Sequence, residues 1–149
     1  MSRHRLDRGA VAPVPDGSDS APDEQALDAS AVPPCDLDAE GLILAHALAN
    51  GPIVGLLAKH FYSDANRRIW AEIVDLERTG SRIDVALVAA RLRTAGRLEQ
   101  IGGAAYLSGL AHGTPAVLHV AEHARVVAGK ARQRRAVAVC QAYAAAGHA

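Results

Sequence analysis

The chain has 149 residues and a formal net charge of zero, with 16 basic and 16 acidic side chains, so there is no overall electrostatic pull toward nucleic acid or an anionic membrane. Half of the residues are hydrophobic, yet 32 are alanine and only five are aromatic, a composition that favours packed helices over a sheet. No apolar run approaches the roughly 18 residues that a membrane-spanning helix needs, and Arg3, Arg5 and Arg8 are not followed by the apolar stretch of a secretory signal; the expected location is cytoplasmic.

Residues 1–35 hold five of the seven prolines and three arginines against six acids, with almost no large apolar side chains. Such a segment buries too little surface to offset its ordering entropy and is expected to be disordered. Cys35 and Cys140 are far apart in the chain and form no CxxC pair, as expected of free thiols in a reducing compartment.

From Asp36 onward the pattern is helical. Asp36 is placed to cap a first helix carrying Leu37, Ile43, Leu44, Ala47 and Leu48, with Asp38 and Glu40 in its first turn and a stop at Asn50-Gly51. Pro52 opens a short element with Ile53, Val54, Leu56 and Leu57 that runs into Phe61-Tyr62. Ser63 caps the next helix, whose stripe reads Asn66, Ile69, Trp70, Ile73, Val74 and Leu76, ending at Gly80. Asp84 begins a helix with Val85, Val88, Ala89 and Leu92 at i, i+3, i+4 and i+7, its polar face carrying Arg91 and Arg93, and Gly96 ends it. After Gly102-Gly103 comes a short helix with Tyr106, Leu107 and Leu110. Thr114-Pro115 is a start signal for a helix that can run to about Ala146. Four of the five aromatics (Phe61, Tyr62, Trp70 and Tyr106) fall between residues 60 and 107, so the core is expected to form around them.

The expected architecture is all-α: a small helical head of about five short helices over residues 36–113, then one long helix over 114–149. The expected core comprises Leu44, Phe61, Ile69, Trp70, Ile73, Val88, Leu92, Tyr106 and Leu107. A helix of this length and apolarity wants a partner helix, and Val117, Val127, Val137 and Tyr143 are its expected pairing face. Arg132, Arg134 and Arg135 form a basic run that could meet an acidic partner, without the interleaved aromatics that stack single-stranded bases.

Three motifs invite sharper readings. His119-Val120-Ala121-Glu122-His123 reads H-x-x-E-H, an inverted zinc-protease pattern, but Glu122 is the last acid in the chain, so no acidic third ligand follows. A solvated helix face is the expectation. Gly102-Gly103 has neither a preceding strand nor a neighbouring Lys or Ser/Thr, so it reads as a helix break and not a phosphate cradle. No paired carboxylates, nucleophile triad or metal cluster emerges, so catalytic, cofactor and metal residues are expected to be none.

Several runs in order resemble the N-terminal domain of the bacterial replicative DNA helicase, the DnaB family. They are Glu40-x-x-Ile43-Leu44, Phe61-Tyr62, Asn66-Arg67-x-Ile69-Trp70, Gly80-x-x-Ile83-Asp84-Val85-x-Leu87, Leu92-x-x-x-Gly96-x-Leu98, Ile101-Gly102-Gly103-Ala104-Ala105-Tyr106-Leu107 and Ala124-Arg125-Val126-Val127. The resemblance spans residues 36–143. It implies a helical head followed by a helical hairpin, of which the long helix here would be the first half. It also implies self-association into a collar, contact with primase, and a role as an interaction module of the primosome. ATP, Mg²⁺ and helicase activity belong to a separate motor domain in that family; no G-x-x-x-x-G-K-[ST] occurs in this sequence. The sequence departs from the family pattern at His60, where an acid usually precedes Phe-Tyr, and at Asn66, which replaces a common histidine. His119 and His123 stand near positions usually held by Asn and Tyr. A second reading is a free-standing adaptor or regulator that binds the replicative helicase, similar to the helicase-binding domain of primase.

Overall fold

A computed structural model describes residues 31–112 and 119–147 of the chain. Of the tail expected to be disordered over 1–35, residues 1–30 lie outside the described residues, as do the Thr114-Pro115 start signal and Val117, and Pro34 accepts a hydrogen bond from Arg134.

Helix α1 spans Leu37–Asn50, opened by Asp36, whose carboxylate accepts from the Ala39 N–H at 2.9 Å. It ends at Gly51, where φ is +93° and the N–H donates to Ala47 O, a backbone conformation that favours glycine. Instead of a short helix opening at Pro52, the chain makes an irregular passage and one 3-10 turn at Ala58–His60. Helix α2 spans Asp64–Arg78 with Ser63 Oγ accepting from the Asn66 N–H at 3.3 Å. Helix α3 spans Val85–Thr94 with Asp84 accepting from the Ala86 N–H at 2.7 Å. A second 3-10 turn at Glu99–Ile101 leads to α4, Gly103–His112, and the long helix α5 runs Val120–Ala145. The described residues contain five α-helices and no strand.

Helix α1 is the hub: α2, α4 and α5 all pack against it, while α3 packs on α2 and α4. Ile43, Leu44, Phe61, Ile69, Trp70, Ile73, Leu76, Val88, Leu92, Ile101 and Leu107 are fully buried between them, and Tyr106 is half-buried at the edge. The Phe61 and Trp70 rings sit 5.1 Å apart, tilted by 37°, a pairing that adds about 0.5–1.5 kcal/mol beyond the area it buries. Arg91 joins α3 to α2, reaching Glu72 at 3.1 Å and also Asp75.

The long helix is not a separate module attached to a finished head. Val127 is 1% exposed and belongs to the same core as Ile43 and Trp70, with Ala124 and Ala128 packed beside it. Residues from Pro33 onward form one compact unit that includes both head and long helix. The expectation that Val127 faces a second helix is therefore corrected: α5 packs against α1, and Val127 is buried in the core they share.

Candidate functional site

Two features set the presentation of α5: a polar network inside the head, and an arginine where α5 crosses the 3-10 turn.

Glu40 lies in the first turn of α1, where an acid suits the helix dipole, but it is 1% exposed. It shares the phase of Ile43, Leu44 and Ala47, so α1 rolls it inward. Its carboxylate accepts from the Tyr62 N–H, from the Ser63 N–H at 3.3 Å and from the Asn66 side-chain amide at 2.9 Å. Asn66 Oδ1 in turn accepts from the Tyr106 hydroxyl at 2.6 Å. Burial, then the nearby Glu40 charge, raise the Tyr106 phenol above its ordinary value of 10.0, against a smaller lowering from the Asn66 hydrogen bond. The hydroxyl thus stays a donor at any ordinary pH. A buried carboxylate is tolerable only with its acceptor sites filled, and here the filling groups come from the 62–63 link and α2, with Tyr106 of α4 bonded to Asn66 behind them. The network fixes the link on which α5 rests. The sequence carries a signal for it, since Glu40 and Asn66 both sit at apolar phases of their helices.

On the far side of that link stands Arg134. Its guanidinium donates to Pro34 O at 2.7 Å and to His60 O at 2.7 Å, and its centre lies 5.5 Å from the centroid of the Tyr62 ring. The expectation that Arg134 belongs to a free basic face is corrected, because two carbonyls and a ring inside the chain occupy it. Arg132 and Arg135 on the same helix remain exposed.

Beyond Arg134 the helix leaves the head. Val137 is half-buried, whereas Val139 is 62% exposed, Tyr143 is 72% exposed, and Cys140 is exposed. An apolar helix end in this condition marks a surface available for association.

The sharper motif readings find no support in the geometry. His119 lies outside α5 at φ +61°, so it and His123 do not form an i, i+4 pair on one helix. Among the described residues no group of three or more His, Cys, Asp or Glu is placed to hold a metal ion. Gly102 and Gly103 spend their N–H groups on Glu99 O and Leu98 O, closing the 3-10 turn. A Cβ on Gly102, where φ is +99°, would lie 3.0 Å from Tyr106 Cβ. Trp70 is buried beside Phe61, and its indole N–H has no hydrogen-bond partner among the described residues.

Comparisons with known proteins agree on one family. Residues 32–129 match the family model described as DnaB-like helicase N terminal domain. The chain is 30% identical over 115 residues to the replicative DNA helicase DnaB of Treponema pallidum (strain Nichols), covering 74% of this chain and 26% of that protein. It is 31% identical over 113 residues to that of Haemophilus influenzae, covering 72% and 24%. The chain thus spans about a quarter of the length of these curated relatives. The crystal structure of the N-terminal domain of DnaB helicase from Mycobacterium tuberculosis superposes with a TM-score of 0.72 at 33% identity, covering 79% of this chain and 89% of that one. A DnaB-like replicative helicase, whose structure was described together with its interactions with primase, superposes with a TM-score of 0.62 at 27% identity, covering 71% and 26%.

Proposed function

The chain belongs to the family of DnaB-like helicase N-terminal domains, and from that premise we propose that it works as an oligomerisation and primase-interaction module of the primosome. The observation that carries this reading is the end of α5, where Val139 is 62% and Tyr143 72% exposed beyond the contacts of Arg134 with Pro34 and His60. Burying those two side chains against another helix would contribute about 3–6 kcal/mol gross, at roughly 1.5–3 kcal/mol each, before the costs of association. Val139 and Tyr143 replace Val127 in the pairing face, Val137 stands at its margin, and the exposed Arg132 and Arg135 flank it as possible partner contacts.

The work of this chain is protein–protein association, and ATP-driven unwinding belongs to a motor domain of the kind found in its helicase relatives. The exposed arginines lack interleaved aromatics, which supports weak or absent direct DNA binding. Light scattering of the wild-type protein and of Val139→Asp, with calorimetric titration of each against primase, tests the reading. A mass above the monomer that falls in the variant, together with primase binding, is the expected result. A monomeric wild type that ignores primase refutes it, and binding to intact helicase in that case would favour the adaptor reading instead.

A further inference from the structure

One arginine and one histidine meet where the long helix crosses the 3-10 turn. Arg134 is the α5 side chain that reaches the two backbone carbonyls of Pro34 and His60, and it also covers the Tyr62 ring. A guanidinium can grip two acceptors at fixed geometry where a single ammonium cannot. One of those acceptors depends on a titratable ring. His60 closes the 3-10 turn by donating its N–H to Leu57 O at 2.9 Å, while its own Nδ1 accepts from the Leu57 N–H at 3.1 Å. Nδ1 must therefore be unprotonated for the turn to close as it does.

The geometry points to an acid-sensitive latch: with His60 neutral, the closed turn presents His60 O to Arg134 and holds the C-terminal half of α5 on the head, and protonation of His60 opens the turn and frees that half while Val127 keeps its place in the core. Protonation at Nδ1 removes the acceptor of the Leu57 N–H and places a second donor against it. It also adds a positive charge among others of the same sign. Lys59 faces the ring from its own turn, and Arg132 and Arg134 face it from α5. From α2, Arg67 reaches Phe61 O at 3.1 Å, with Asp64 at 3.9 Å from its guanidinium. Burial foremost, then Lys59, Arg132 and Arg134, hold His60 below its ordinary value of 6.5. The seated form therefore binds fewer protons than the released form, so seating is fully favoured above 6.5 and is lost as pH falls from there through the lowered value.

Spin labels test it, one on Cys140 and one on a cysteine at exposed Arg93 (Arg93→Cys), with Cys35→Ser to leave two sites. Pulsed distance measurements at about pH 7.5 and about pH 5 bracket the histidine range. The expected wild-type distribution is narrow at the higher pH and broad, shifted to longer distance, at the lower. Arg134→Gln should be broad at both. His60→Asn keeps a side-chain acceptor near the Nδ1 position but cannot take a charge, and it should be narrow at both. Trp70 emission and helical circular dichroism report whether the head remains folded. Should Arg134→Gln unfold it, Arg134→Lys, which keeps the charge and loses the fork, should give the broad distribution. A wild-type distribution identical at the two pH values overturns the latch, as does acid broadening of His60→Asn equal to that of wild type. A folded arginine variant that stays narrow overturns it too.

Discussion

Replacing Glu40 by alanine should do more damage than its place in the first turn of a helix suggests. The substitution strips the acceptor from the Asn66 amide, which is buried, and from the Tyr62 and Ser63 N–H groups, which are partly buried. An unpaired buried donor costs about 1–3 kcal/mol. Taking about 2 for the amide and about 1 for each backbone group gives about 4 kcal/mol, before the cavity left by the carboxylate. That is a large share of the roughly 5–15 kcal/mol by which a domain is stable. Glu40→Gln keeps the shape but turns an NH₂ toward groups that also donate, so about 2 kcal/mol is expected. Tyr106→Phe removes only the distal bond to Asn66, for about 1 kcal/mol. The assay is urea unfolding followed by Trp70, the single tryptophan of the chain, which is 1% exposed in the fold. A Glu40→Ala protein within about 1 kcal/mol of wild type would refute the argument that this carboxylate organises the 62–66 link.

Val127→Asp should lower the thermal midpoint by the equivalent of about 3–5 kcal/mol, because it leaves an uncompensated charge in the core; a midpoint near that of wild type would mean that Val127 is not packed against α1. Val139→Asp should leave the midpoint unchanged while reducing the mass seen by light scattering, and a large loss of stability would place Val139 inside the fold. Trp70→Ala should cost about 3–5 kcal/mol in a denaturant titration followed by circular dichroism. Gly102→Ala should cost about 1–3 kcal/mol, since it forces a side chain into a left-handed conformation at 3.0 Å from Tyr106 Cβ; wild-type stability there would show that the turn relaxes freely.

Much of the fold is legible because helix punctuation is local. Asp36, Ser63 and Asp84 each cap the helix that follows them, since a short polar side chain before an apolar stripe finds an unpaired N–H two or three residues on. Periodicity places Ile43, Leu44, Ile69, Trp70, Ile73, Val88 and Leu92 on inward faces, and all are buried. What local pattern does not carry is the identity of the neighbour. The stripe through Val127 reads equally as a seam for a second chain or for α1, and only the return of α5 across α1 decides between them. Arg134 looks like any surface arginine until its carbonyl partners at Pro34 and His60 are brought to it. Glu40 was open to a better reading, because a carboxylate in phase with Ile43, Leu44 and Ala47 must either distort the helix or find buried donors. It finds them 22 to 26 residues away.

The bond between Arg134 and Pro34 spans 100 residues, and that separation bears on how the protein is made. Loop-closure entropy rises only with the logarithm of length, so the contact is affordable at equilibrium, but pairings between distant parts of a chain form late. During synthesis, α1 to α4 can collapse on one another while α5 is still inside the ribosome. The strip of α1 destined for Val127 then stays uncovered until α5 has emerged. In that interval the nascent head exposes apolar surface that a second nascent chain, or a chaperone, can reach before the helix encoded to cover it.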